Sequence, residues 1–285
     1  MAFFGGSRIN TNIGAKNAFD SLNRINGRIG QTQLRLATGK RINSAADDAA
    51  GYTLSTKLDN RSRSLQKAVS NIGEAKNILA VAESGYQAIN DILLQVKEKV
   101  IQAGNASYST DERTALQNEV TELGSEIDRI VAETKFNGIQ LLNDTSSGGG
   151  LTAAAFQVGA DSGDSLSFTL TADVSASNLS VGSSTVPTSS GATAIGTSLT
   201  SIDASIDTVT ADLQKLGSYV NRLDFKEQVV SSAITNLQAA SSRIKDADIA
   251  AEQLESTKLQ ILQQTATTQL SQANAAPQNI LTLFR

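Results

Sequence analysis

The feature that most constrains this 285-residue chain is a heptad seam that occurs twice, once on each side of a polar middle. The first seam runs Leu58, Leu65, Ile72, Leu79, Tyr86, Leu93, Val100, and the second runs Ile202, Val209, Leu216, Leu223, Val230, Leu237, Ile244. Ala68, Ala75, Ala82, Ile89 and Val96 fill intermediate positions of one seam, and Ile206, Leu213, Val220 and Ile234 those of the other. An apolar residue about every 3.5 positions makes helices that supercoil against partners. Each seam predicts a rod of roughly 64 Å, at about 1.5 Å per residue. Two matched rods suit a subunit of an extended assembly better than a compact enzyme.

Composition narrows the chemistry. There is no Cys, His or Trp and only one Met. Thiol chemistry, imidazole general-base catalysis and most zinc, copper and haem sites are thereby excluded, and no cofactor is expected. The acids lie scattered along helical faces as solvated charges. A net charge of −4 gives no support to a nucleic-acid partner. No apolar run approaches the ~18 residues of a membrane span, so no membrane partner is expected. The opening Met1-Ala2-Phe3-Phe4-Gly5-Gly6 lacks the basic and apolar regions of a cleaved secretory signal.

Along the chain, residues up to about 40 read as a weak amphipathic helix with the seam Leu22, Ile25, Ile29, Thr32, Leu36, weakened by Gly14, Gly27 and Gly30. Gly39 suits its stop. Ser44 with Asp47 resembles a capping box that opens the first rod. The rod ends near Gly104-Asn105, and Ser109 with Glu112 offers a better box for a third helix with the seam Leu116, Val120, Leu123, Ile127, Ile130. The short loop between them makes these two antiparallel neighbours. Asn137-Gly138 signals a turn, with Ile139 and Leu141 following at strand spacing.

Residues 146–200 change character: over half are Gly, Ser or Thr, with no Lys or Arg and three acids. Phe156 and Val158, then Leu166, Phe168 and Leu170, alternate as in half-buried strands. The rest, with little to pack, reads as flexible surface loop, and its hydroxyls are candidate acceptors of O-linked sugars. After the second rod, residues 250–285 form another weak helix rich in Gln, Ala, Thr and Asn. The fold class is therefore mainly α: an elongated antiparallel helical bundle or coiled coil formed by the N- and C-terminal halves, with a small β segment in the middle. Arg61 and Glu227 interrupt the seams. Aligned end to end, Arg61 falls near Ser241 and Glu227 near Ala75, so the two do not pair with each other. That leaves a shifted register or an outward reach.

The motifs at both ends resemble bacterial flagellin. Leu36-Ala37-Thr38-Gly39-Lys40-Arg41-Ile42-Asn43-Ser44-Ala45-Ala46-Asp47-Asp48-Ala49-Ala50-Gly51 is similar to the family's N-terminal signature. Phe136-Asn137-Gly138 and Phe156-Gln157-Val158-Gly159 resemble the hallmarks beside its β segment. Ser242-Arg243-Ile244-Lys245-Asp246-Ala247-Asp248, Gln260-Ile261-Leu262-Gln263-Gln264, Gln272-Ala273-Asn274 and Pro277-Gln278-Asn279 resemble its C-terminal signature. The likeness covers about residues 7–170 and 200–285. The chain departs from the family in its small middle segment and in the Phe3-Phe4-Gly5-Gly6 start.

The resemblance implies a structural, non-enzymatic subunit, exported without a cleaved signal, that polymerises with itself into an extracellular helical filament for swimming. Residues 1–43 and 250–285 would form the inner-core helical domain, 44–145 and 201–249 the rod domain, and 146–200 a short β or variable surface segment. The terminal stripes are too thin to order alone, so they are expected to order on assembly. Subunit-interface candidates are Leu22, Ile25, Ile29 and Leu36; Arg41, Asn43, Asp47 and Asp48; Arg243 and Asp246; and Leu254, Ile261, Leu262, Leu270, Leu281, Leu283 and Phe284. A divalent-ion site at Asp47-Asp48 and Asp246/Asp248 is not expected, and Asp47-Asp48 are explained as helix-start acids. Implied partners are hook-junction and cap proteins, and an export chaperone on the C-terminal helix. Leu94 to Val100 aligns with the segment that an animal innate-immune receptor reads in some flagellins. Gln95 and Lys99 stand where those have Arg and Leu, which leaves recognition doubtful. Rivals are a hook–filament junction protein, a peptidoglycan hydrolase grafted on the middle, and a cytoplasmic coiled-coil scaffold.

Overall fold

The computed structural model describes residues 11–143, 151, 154–170, 173–182, 185–187 and 192–283, with side chains at 192, 193 and 276–283 left out. Among the described residues, five helices carry the fold: α1 (Ile13–Thr38), α2 (Ala49–Ala103), α3 (Thr110–Glu133), α4 (Ala192–Lys245) and α5 (Ile249–Leu283). Between α3 and α4 the described residues form two antiparallel hairpins: β1 (Lys135–Phe136) with β2 (Ile139–Gln140), and β3 (Ala155–Gln157) with β4 (Ser165–Ser167). The chain divides into two compact units, one of residues 1–60 with 236–285, the other of residues 61–235.

The unit of residues 61–235 owes its core to the two seams. Leu65, Ile72, Leu79, Tyr86, Leu93 and Val100 are buried on α2, and Ile202, Val209, Leu216, Leu223 and Val230 on α4. The helices run antiparallel, as the Lys76–Glu227 and Lys97–Asp203 ion pairs show. Tyr86 meets Asp212 inside the seam, at a long 3.5 Å between Tyr86 Oη and Asp212 Oδ2. Burial, reinforced by the Asp212 charge, pushes the Tyr86 phenol far above its usual range. The expected end-to-end register is off by a residue or two: Glu227 reaches Lys76 rather than Ala75, and Ser241 bonds Asp59 rather than facing Arg61. Arg61 instead grips Asp161, Nη2 to Oδ2 at 2.8 Å, so the middle segment supplies its partner.

Helix α3 starts as expected. Ser109 and Glu112 form a reciprocal capping box. Arg113, almost wholly buried, donates to the carbonyls of Asn105 and Tyr108 and so closes the α2–α3 loop. Asn137 and Gly138 adopt φ of 49° and 83°, the left-handed pair that a two-residue hairpin requires. Leu142 from this hairpin packs over Gly85 of α2, where an added Cβ would stand 2.8 Å from Leu142 Cδ1.

Two helix starts differ from the sequence reading. Helix α2 begins at Ala49 and is capped by Asp48, whose Oδ1 accepts the Gly51 N–H at 2.9 Å. Ser44 and Asp47 form only half of a capping box: the Asp47 carboxylate accepts the Ser44 N–H, and that of Asn43, but the Asp47 N–H goes to the Ser44 carbonyl and no helix opens there. Helix α4 begins at Ala192, well before 201. The middle segment is also better packed than its composition suggests. Val174, Ala176, Leu179, Val181 and Val186 are buried, and Gln117 of α3 donates to the Gly182 carbonyl while accepting the Val186 N–H.

Candidate assembly surface

The unit that contains both chain ends is built around the pairing of α1 with α5. Asn12 caps α1 by accepting the Ala15 N–H, and Gly39 stops it in the left-handed region at φ 69°, returning its N–H to the Arg35 carbonyl. Asp248 caps α5 by accepting from Ala250 and Ala251. Between these ends the two connecting segments bond to each other. The Arg41 and Ile42 N–H groups both donate to the Lys245 carbonyl, and Ala247 donates to the Gly39 carbonyl. Lys40 and Asp246 form an isolated antiparallel bridge. Ile42, 1% exposed, anchors this junction.

Asp47 completes the junction. It accepts from the Asn43 and Ser44 backbones and from the Gln31 side chain of α1. The Asn43 N–H, then that of Ser44, holds its carboxyl below the usual carboxylate range. Among the four acids near the junction, Asp48 and Asp248 cap helices and Asp246 accepts from Ser242. All four therefore have local structural roles. Among the described residues no group of three or more potential metal ligands comes together.

The helix pair itself has a thin seam. Ile29 and Thr32 are buried on α1, and Ser256, Leu259 and Ala266 on α5. Two of these five are polar, so the pair gains little apolar burial. Arg35–Glu252 at 3.1 Å and Arg28–Glu255 at 2.9 Å flank it. Outside the seam, large apolar side chains face away. Leu254 is 74% exposed and Ile261 59%, with Leu262 beside them. On α1, Phe19 and Leu34 are about half exposed.

The structure thus sorts the predicted interface residues. Ile29 is buried, and Leu22, Ile25, Leu36 and Leu270 are half-buried. Leu254, Ile261 and Leu262 point outward, free for another chain. Arg41 and Asn43 are held by junction hydrogen bonds, and Arg243 is exposed. Leu281 and Leu283 belong to α5 with side chains not described, and Phe284 lies outside the described residues. Phe19 and Leu34 were not anticipated, because they sit off the stripe from Leu22 to Leu36. Their size on an otherwise polar face was the available signal.

Helices with an intramolecular core, thin paired termini and outward apolar side chains define a self-assembling structural protein. The comparisons agree. The family model of the bacterial flagellin N-terminal helical region matches residues 9–147, and that of the C-terminal helical region matches residues 199–284. Flagellin FlaB1 of Treponema pallidum (strain Nichols) is 35% identical, covering 97% of this chain and 99% of its own length. The flagellin of Bacillus subtilis (strain 168) is 34% identical over 98% of this chain and 100% of its own. A solved structure of a putative flagellar hook-associated protein from Vibrio parahaemolyticus shares the fold, with a TM-score of 0.57 at 16% identity over 70% of this chain and 100% of its own. The chain belongs to the bacterial flagellin family, and it is a structural subunit of the flagellar filament that serves swimming motility. Its small middle segment makes it a short member.

Proposed function

We propose that the terminal helix pair is the polymerisation element and that the unit of residues 61–235 is the rigid body it assembles. The observation that carries this is the contrast between a thin α1–α5 seam and the outward row of Leu254, Ile261 and Leu262. Burying each such side chain against a neighbouring subunit contributes about 1.5–3 kcal/mol. Contacts of this kind are heterologous and open-ended, and they propagate into filaments. The unit of residues 61–235 has its own core, so it stays folded whether or not the ends are engaged. The chain works outside the cell as part of the filament, performs no covalent chemistry, and meets hook-junction and cap proteins at the filament ends. The same exposed apolar row on α5 gives an export chaperone a surface to cover before assembly.

Recognition by the animal innate-immune receptor is weak in this reading. Lys99 is tied to Glu119 at 2.6 Å, in place of an apolar contact. The hook-associated alternative has in its favour only a fold likeness at 16% identity. Elongation of filament seeds by a Leu254→Ser, Ile261→Ser variant tests the proposal. The expected result is a monomer with unchanged helical circular dichroism that fails to elongate seeds. Normal filaments from it, or from a chain lacking residues 250–285, would refute the mechanism.

A further inference from the structure

Asn12 uses both ends of its side-chain amide. Its Oδ1 accepts the Ala15 N–H at 3.0 Å, and its Nδ2 donates to the Ala273 carbonyl of α5 at 2.6 Å. One partner is a donor and the other an acceptor, so a flipped amide would set like against like. The choice of Ala273 has a chemical reason. Within an α-helix that carbonyl takes the N–H four residues further on. Residue 277 is proline, the one proline within α5. Proline has no N–H to give. Helix α5 therefore carries a carbonyl without its regular donor, and Asn12 supplies one.

We propose that Asn12 and Pro277 form a register lock at the end of the α1–α5 pair away from the junction. Two of the other polar contacts of the pair tolerate a slip. Arg28 bonds Glu255 and Arg35 bonds Glu252. A three-residue slip would bring Glu252 to Arg28 and keep that charge pair, whereas Arg35 would face Ile249. Gln263 donates to Asn26 at 2.8 Å, and Gln260 would take its place after the same slip. The buried seam, made of Ile29, Thr32, Ser256, Leu259 and Ala266, is too small to penalise a slip heavily. Besides Arg35 and the hydrogen-bonded junction at the opposite end of the pair, the carbonyl left open by Pro277 is a contact without an equivalent one turn away. Its position determines where Phe19 and Leu34 sit relative to Leu254 and Ile261. Asn12 is thus a positioning residue for assembly, a role that rests on the terminal pair being the polymerisation element.

The absence of cysteine makes a disulfide readout clean. Two full-length chains carry Asn26→Cys with either Gln263→Cys, the observed register, or Gln260→Cys, the slipped one. Each is oxidised in solution and in filaments grown from seeds. The observed spacing should cross-link in preference. Asn12→Asp keeps the cap acceptor but sets a carboxylate against the Ala273 carbonyl, and Asn12→Ser keeps the cap with a side chain too short to reach. Each should lower the cross-link preference roughly five-fold and raise the critical concentration for elongation to a similar degree. In a Pro277→Ala background the helix's own N–H occupies the Ala273 carbonyl, so Asn12→Asp should then change the preference less than about two-fold. An unchanged preference, an equal loss in both backgrounds, or no cross-link at either spacing in filaments overturns the lock. A shifted preference with normal elongation upholds the lock and overturns the assembly role of the pair.

Discussion

Asp47 shows how one side chain joins three pieces of chain, taking two backbone N–H groups from the junction and the Gln31 amide from α1. Those bonds depress its pKa in the folded chain. Its contribution is therefore complete above the ordinary carboxylate pKa of about 4 and is lost as pH falls through the depressed value. The protection factors of the Asn43 and Ser44 amides, taken relative to intrinsic exchange at each pH, should fall on acidification over that window. Asp47→Asn should exchange faster at neutral pH and show no such step. The sequence placed Asp47 near a helix start but not in this role, because its bonding depends on a turn that brings Gln31 within reach. Arg61 is a similar case. Its partner Asp161 lies 100 residues away in the sequence, and no periodicity marks such a pair.

At the scale of elements, the helices were the legible part. From Leu65 to Val100 and from Ile202 to Val230 the α2 and α4 seams are buried at the positions their heptads specify, because a 3.5-residue repeat leaves only one face able to shed water. Leu216→Ala in the middle of α4 should destabilise the unit of residues 61–235 by about 2–5 kcal/mol, read from urea unfolding. Ser109→Ala removes half of the α3 capping box and should cost about 1 kcal/mol in the same assay. The 173–187 segment was not legible. Val174, Leu179, Val181 and Val186 follow neither helical nor strand spacing. Their burial comes from docking on α3 and α4, through Ala176 N–H to Asp128 and the Ser205 hydroxyl to the Leu179 carbonyl. Replacing Val181 with Asp should loosen that docking, seen as faster exchange of the Ala176 and Val186 amides.

For the whole molecule, the two units differ in what holds them. The unit of residues 61–235 has a continuous apolar core, whereas the terminal unit relies on a thin helix pair and a hydrogen-bonded junction. Stability should therefore be uneven along the chain. Soluble chain should exchange its amides rapidly and be cut by protease before about residue 40 and after about residue 250, with both regions gaining protection in filaments. Equal protection of the ends in the soluble chain would contradict this. By itself the sequence determined the helices, their amphipathic faces, the capping of α3, the 137–138 turn and the family, since each of these rests on local spacing or an ordered motif. Only the tertiary structure decided which terminal apolar residues are buried in the α1–α5 pair and which face outward. It alone also gave Arg61 and Glu227 their partners and matched Asn12 to the carbonyl that Pro277 leaves open. Those outcomes depend on which face of one helix meets which face of another, and a helical period fixes the faces without fixing how they meet.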